Sequence, residues 1–472
     1  MRTPYKLLSV AAAALISLPA TAYDTSYLQG LLNTTPEGGW VKVNTTTFGS
    51  AFATGSVAAP FLPSGPEAVA RAWSSFDWDS NRGQLIIYGG GHANYIGNEV
   101  YTMSGLNGQW TRGTLPSRVD IAPGTQWRVA GDGAPQSAHT FDLNVYAPGA
   151  DRFVVFGGGA YNSGGPLTGG PNNLRTGVWW WDPSKADPNK VGGADGTGWN
   201  PATQGSVSWE ERLNDPWRGL PINQGMSYLN GTNAYRSENG RDVIYLSIDS
   251  NASGLPQLWR YQLGINGGPD TWARVGTTQN SVMREGTAAI DTNRGLFVRT
   301  AQPAVGRVSD LAVWNLANNN TNNPGANLDF SVRLVDINGN PLDTSIDTAI
   351  EYDQVNDQFV LWDGNLQGTV WVTKPEYLPG GAMDPIWTVH VAPSTTFAQP
   401  AGNHVRGVLG KWKYISELGA FIAMDEWNND SRDASIWMYK PYANVIPEPG
   451  TWALLLAGLG VVAGIARRRR VA

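Results

Sequence analysis

The 472-residue chain has no cysteine. That excludes a disulfide framework, a thiolate metal site and a cysteine nucleophile at once. An exported protein of this composition must be stable through packing alone. Charge is sparse too, at 15% of residues, which argues against a helical or a disordered chain. Only four histidines are present, so any imidazole site draws on a very small stock. What is abundant is Gly (57) and Trp (21), a balance that suits many short strands joined by glycine turns.

The two ends read as addresses. Arg2 and Lys6 precede an apolar stretch at 7–18 and a small-x-small site at Ala20-Thr21-Ala22, the pattern of a secretory signal over 1–22. Near the other end, Pro447-Glu448-Pro449 is followed by an apolar run at 452–466 and by Arg467–Arg470. A 15-residue helix would span about 22 Å, short of a roughly 30 Å hydrocarbon core. Four arginines after it would hold that end in the cytoplasm. This order of parts resembles the PEP-CTERM sorting signal of Gram-negative bacteria. The resemblance implies recognition by an exosortase, transient inner-membrane contact, removal of the tail, and delivery to the surface or an exopolysaccharide (biofilm) matrix. Pro447, Glu448 and Pro449 are then the sorting motif of a segment spanning 443–472.

Setting aside the six basic residues of the two ends leaves 27 of the 33 Lys and Arg against 39 Asp and Glu, a net charge of −12. A body this acidic is a poor partner for nucleic acid or anionic lipid. An acidic polymer would need a local basic site.

Between the addresses, 23–442 reads as repeats, set by the stretch from Phe76 to Trp110. Leu85-Ile86-Ile87-Tyr88 is a short apolar β-branched run between turn residues, the mark of a strand buried on both faces. Gly89, Gly90 and Gly91 turn the chain without a Cβ penalty. The grammar recurs, predicting four strands (a to d) per blade. The expected a strands lie at 71–76, 138–143, 225–229, 286–290, 348–352 and 406–411. Blade 5 is expected to end in a d strand at 387–391. Blade 6 runs out after three strands, and 39–43 resembles the d strands opening at Trp110, Trp272 and Trp387. A ring must close to avoid unpaired edges, so this N-terminal strand is expected to complete blade 6. The fold class is an all-β, six-bladed propeller with a C-terminal apolar helix; the long interval 181–226 leaves room for a seventh blade.

Glycines closing strand b, an aromatic on strand c and a Trp opening strand d resemble the kelch repeat of galactose-oxidase-type propellers. The match is best in blade 1 (Gly89, Gly90, Gly91, Tyr101, Trp110) and blade 2 (Gly157, Gly158, Gly159, Trp179). It implies fold far more than function. The copper radical chemistry of that group needs a tyrosine crosslinked to cysteine, which is excluded here.

Propeller topology places the d-to-a and b-to-c loops on one face. Arg71, His139, Arg284, Glu285, Asp347, His404 and Arg406 are expected there, with His92, Asn94 and Tyr95 from the blade 1 b–c loop. His92, Tyr95, His139 and His404 are the catalytic candidates, and Arg71, Asn94, Arg284, Glu285, Asp347 and Arg406 the ligand-binding ones. The His ligands are scattered and show no short metal spacing, so no metal site or cofactor is assigned. Among Trp179–Trp181, adjacent side chains alternate faces, so one is expected to be exposed for sugar stacking. The Asn-rich stretch 318–327 reads as a mobile loop on the opposite face. Three functional readings result: a surface or matrix protein binding polysaccharide or a protein partner through this face, a polysaccharide lyase or hydrolase using the His, Arg and Tyr cluster, or a purely structural surface protein.

Overall fold

The computed structural model describes residues 24–443, apart from 60–63, 92–93, 118, 121–127, 130–132, 158, 161–167, 170–173, 176–177, 194–206, 221–225, 251–255, 265–267, 279–284, 301–309, 365–367 and 403. The expected signal, the sorting motif at 447–449, His92 and Arg284 therefore lie outside the described residues. Among the described residues, no helix is long and apolar enough to cross a membrane.

Six antiparallel blades form a ring. Blade 1 is Ser75–Asp79, Gln84–Tyr88, Tyr101–Ser104 and Trp110–Arg112, and blade 2 is Asn144–Ala147, Arg152–Val155, Trp179–Trp181 and Trp209–Glu211. Blade 3 is Met226–Glu238, Arg241–Ser250, Pro256–Gln262 and Thr271–Thr277. Blade 4 is Ala288–Asp291, Leu296–Arg299, Leu311–Asn315 and Phe330–Val335. Blade 5 is Thr348–Asp353, Gln358–Asp363, Val370–Thr373 and His390–Ala392, and blade 6 is Trp412–Ile415, Ala420–Met424, Ile436–Lys440 and Gly39–Lys42. The interval after Trp181 supplies the outer strand of blade 2, so the ring has six blades.

Closure is as expected. Gly39–Lys42 pairs antiparallel with Ile436–Lys440, placing Trp40 opposite Tyr439. Trp40 packs on Trp362, Trp412 and Tyr439 at 5.1–5.8 Å and donates its Nε1–H to Gly368 O at 3.0 Å. This joins the two ends of the propeller through an aromatic core that also holds blade 5.

The a–b turns of blades 1 and 4 share a device readable in the letters Asp-x-Asn-Arg-Gly. Asp79 Oδ1 accepts the backbone N–H groups of Asn81 and Arg82, and Asp291 Oδ1 those of Asn293 and Arg294, at 2.9–3.0 Å. Each is an Asx turn that closes on a glycine at positive φ, Gly83 and Gly295.

Four expectations need correction. The innermost strands of blades 1, 2 and 6 start at Ser75, Asn144 and Trp412, four to six residues later than expected, because the preceding residues form the bends entering the channel. The stretch expected as one d strand at 387–391 is split. Ile386–Thr388 runs parallel to the outer strand of blade 4, and only His390–Ala392 joins blade 5. Trp179, Trp180 and Trp181 are all buried, because Arg212 covers Trp180 at 3.7 Å and neighbouring blades cover the rest. The Asn-rich stretch is pinned to blade 3: Asn319 Nδ2 donates to Tyr245 Oη at 3.0 Å and Asn327 Nδ2 to Val275 O at 3.1 Å.

Candidate functional site

The chain bends tightly at the entrance to the inner strands of blades 1, 2, 4 and 6 and within that of blade 3. Trp73, Phe141, Asn230, Glu285 and Leu409, each two or three residues before or near the start of an inner-strand segment, have φ between 37° and 60°. A non-glycine residue pays roughly 1–2 kcal/mol for this left-handed conformation, and such strain concentrates where ligands are gripped. The bends of blades 1 and 2 are tied together, Phe141 N–H donating to Trp73 O at 2.7 Å.

Trp73 is the hub. His139 packs against its indole at 4.5 Å, and the Arg406 guanidinium lies 4.7 Å from the ring centroid. Its Nε1–H donates to Glu285 Oε1 at 3.2 Å. Asn94 Nδ2 donates to His139 Nε2 at 2.7 Å. One half-buried tryptophan thus gathers groups from blades 1, 2, 4 and 6. Of the sequence-derived candidates, His139, Asn94, Glu285 and Arg406 meet here. Arg406 and Arg71 are exposed, and Arg406 pairs with no carboxylate among the described residues.

The other candidates sit elsewhere. His404 is buried between blades 5 and 6, its Nδ1 facing Gly364 O at 3.2 Å and its Nε2 facing Met424 O at 3.0 Å. Both nitrogens are thus occupied by backbone carbonyls, which makes it a strut. Tyr95 is buried with its hydroxyl on Glu99 Oε1 at 2.5 Å. Burial raises the Glu99 carboxyl above the ordinary range, partly offset by this bond. Asp347 holds the bend before blade 5, its carbonyl accepting Gly364 N–H at 2.9 Å. Burial pushes the Lys411 amine down to about 8, partly offset by the charges of Glu426 and Asp347. Among the described residues, no group of three His, Asp or Glu is placed to hold a metal.

Below the hub a charged plug was not foreseen. Lys413 Nζ lies 3.4 Å from Asp142 Oδ1 and 3.2 Å from Glu351 Oε1. Burial pushes Asp142 to about 6 and Glu351 to about 7, against the pull of Lys413. Burial also raises Asp77, which Lys413 and the N–H groups of Tyr146 and Trp78 partly offset. Burial opposes the charge on Lys413, but these carboxylates outweigh it and raise its pKa. Asp142 also accepts Ala288 N–H at 3.0 Å, so the plug ties four blades and the bend entering a fifth. Beyond it a cavity of about 570 Å³ opens between the a–b turns, away from Trp73.

Residues 445–470 match the PEP-CTERM protein-sorting motif. The sorting motif marks a protein exported to the cell envelope of a Gram-negative bacterium and implies processing by an exosortase. No curated protein matches the chain. Among solved structures, it is similar in shape to an alpha-L-arabinanase of Penicillium chrysogenum complexed with arabinobiose, at 11% identity and TM-score 0.43, covering 86% of this chain and 100% of that one. An alpha-L-arabinofuranosidase of Fusarium graminearum with an iminosugar inhibitor gives 10% and 0.40, covering 77% and 92%. The PQQ-bound aldose sugar dehydrogenase of Streptomyces coelicolor gives 10% and 0.40, covering 86% and 99%. Likeness at this level carries nothing about activity or ligand.

Proposed function

We propose that this chain is an exported, non-enzymatic propeller of the cell surface or exopolysaccharide matrix that binds an acidic polysaccharide through the Trp73 face. The carrying observation is Arg406, exposed, oriented over Trp73, and without a carboxylate partner among the described residues. A guanidinium held on an aromatic ring is pre-organised for a bidentate carboxylate contact. Arg71 adds a second cation on the same side, against the acidic background of the body. Glu285, fixed by Trp73, is placed to accept sugar hydroxyls. The kelch-like kinship, the cleaved signal over 1–22 and delivery into a matrix belong to the same reading.

Binding is favoured over lyase or hydrolase chemistry because the two described catalytic-candidate histidines are committed: His404 to two carbonyls, His139 to Asn94 and Trp73. The test is calorimetry of the mature domain with uronic-acid and neutral oligosaccharides. Binding of the acidic set that is lost in Arg406→Ala supports the reading. Equal binding of neutral sugars, or none of either, sinks it.

A further inference from the structure

We infer that, in the precursor still carrying its tail, the face of the a–b turns is held against the membrane and the Trp73 face points away from it. This rests on reading 445–470 as a membrane-seated sorting segment.

The direction comes from the fold. The tail follows strand c of blade 6, Ile436–Lys440. Met424 pairs with Ile436 at the Trp73 end, and Phe421 with Tyr439 near the a–b turn, so the strand delivers the chain to the a–b side. There it is pinned. Lys440 Nζ donates to Leu32 O and Thr35 O at 3.0 Å, and Lys440 O accepts Gly38 N–H at 2.7 Å. The Tyr442 ring fills the space that a Cβ on Gly38 would occupy.

The length of the tether does the rest. The motif begins at residue 445, three residues beyond Tyr442. A fully extended chain covers at most about 3.6 Å per residue, so Pro447 lies within about 14 Å of Ala443 and Trp452 within about 32 Å. A domain of roughly 420 residues has a radius of gyration of about 22 Å. A tether this short does not let the propeller turn over and bring its far face to the bilayer. The surface beside the exit suits a headgroup layer: the helix Ser26–Thr34 exposes Gln29, Asn33 and Thr34 and carries no charge. The consequence is a division of roles. The Trp73 face is open to polymer throughout sorting, while the channel mouth between the a–b turns is covered until the tail is removed.

The absence of cysteine makes the test direct. Full-length precursors carrying Asn33→Cys, Gln354→Cys or Val405→Cys are labelled with a fluorophore and reconstituted into vesicles with a short-range headgroup quencher. Asn33 and Gln354 lie on the a–b side and are exposed; Val405 is on the Trp73 side and 69% exposed. Labels at 33 and 354 are expected to lose at least half their emission, with the label at 405 unchanged. A 40-residue Gly-Ser insertion after Ala443 should abolish the difference. Quenching at 405 equal to that at 33, or none at any position in protein that sediments with the vesicles, overturns the orientation. Failure to sediment with vesicles at all refutes instead the reading of the tail on which it stands.

Discussion

Arg82, in the a–b turn of blade 1, holds Asp151 of blade 2 through two parallel bonds of 2.5 and 2.7 Å. The same clasp recurs half a ring away, Arg294 of blade 4 gripping Asp357 of blade 5 at 2.6 Å twice. In each case the aspartate also accepts a tyrosine hydroxyl from its own inner strand, Tyr146 or Tyr352. Hydrogen bonding from Arg82 holds the Asp151 carboxyl down at about 2.

Arg82→Ala should lower stability by roughly 1–2 kcal/mol, the value of a bidentate charged pair reduced for its partial exposure. The Asp151 contribution is present above the ordinary aspartate pKa and fades as pH falls through about 2. A double-mutant cycle of Arg82→Ala with Asp151→Asn, read by denaturant unfolding, checks it. Additive losses would mean that the pair is not coupled.

Glu351 sets the opposite pH dependence. Its folded pKa of about 7 exceeds the ordinary glutamate value, so the folded state binds more protons between about pH 4.5 and 7. Its contribution therefore falls as pH rises through that window. Glu351→Gln should stabilise the fold more at pH 8 than at pH 5, by on the order of 1–3 kcal/mol. Melting temperatures of the two proteins across pH 5–8 give the comparison, and parallel curves would contradict it.

Lys413 is the only cation among the charged groups of the plug. Lys413→Met strands the carboxylates of Asp142 and Glu351 in a buried site and should cost about 3–5 kcal/mol. Adding Glu351→Gln should recover a measurable part of that loss in the same unfolding assay. No recovery would place the cost in packing.

Trp40 closes the ring. Trp40→Ala should cost about 3–5 kcal/mol and release the N-terminal strand, so that Lys42, partly exposed at its end, becomes a site of fast trypsin cleavage. Unchanged proteolysis and unfolding would show that the blade 6 core holds without it.

On the Trp73 face, Arg406→Ala should weaken binding of uronic-acid oligosaccharides by about tenfold or more, or roughly 1.4 kcal/mol. Its melting temperature should barely move, because the side chain is exposed. Arg406→Lys should recover little, since an ammonium lacks the planar fork. Titration calorimetry with each variant decides it.

Periodicity and glycine turns showed repeated four-stranded blades, the need to close the ring placed the N-terminal strand at Trp40, and the order of Pro-Glu-Pro, apolar run and Arg cluster marked the terminal sorting motif. These depend on local rules: alternation, turn residues, and an order of parts along the chain. The clasp was half-visible, since Asp79-Ser80-Asn81-Arg82-Gly83 spells an Asx turn, but its partner Asp151 lies 69 residues away in another blade. Trp73 and Lys413 could not be singled out. Nothing local separates the tryptophan at a site from the many that pack blades, or a lysine buried among carboxylates from one in water. Which residues surround the channel is decided by the closure of the ring, which brings Asp142, Glu351 and Lys413 together from three distant segments. Burial then shifts their proton affinities, and no sequence interval records that.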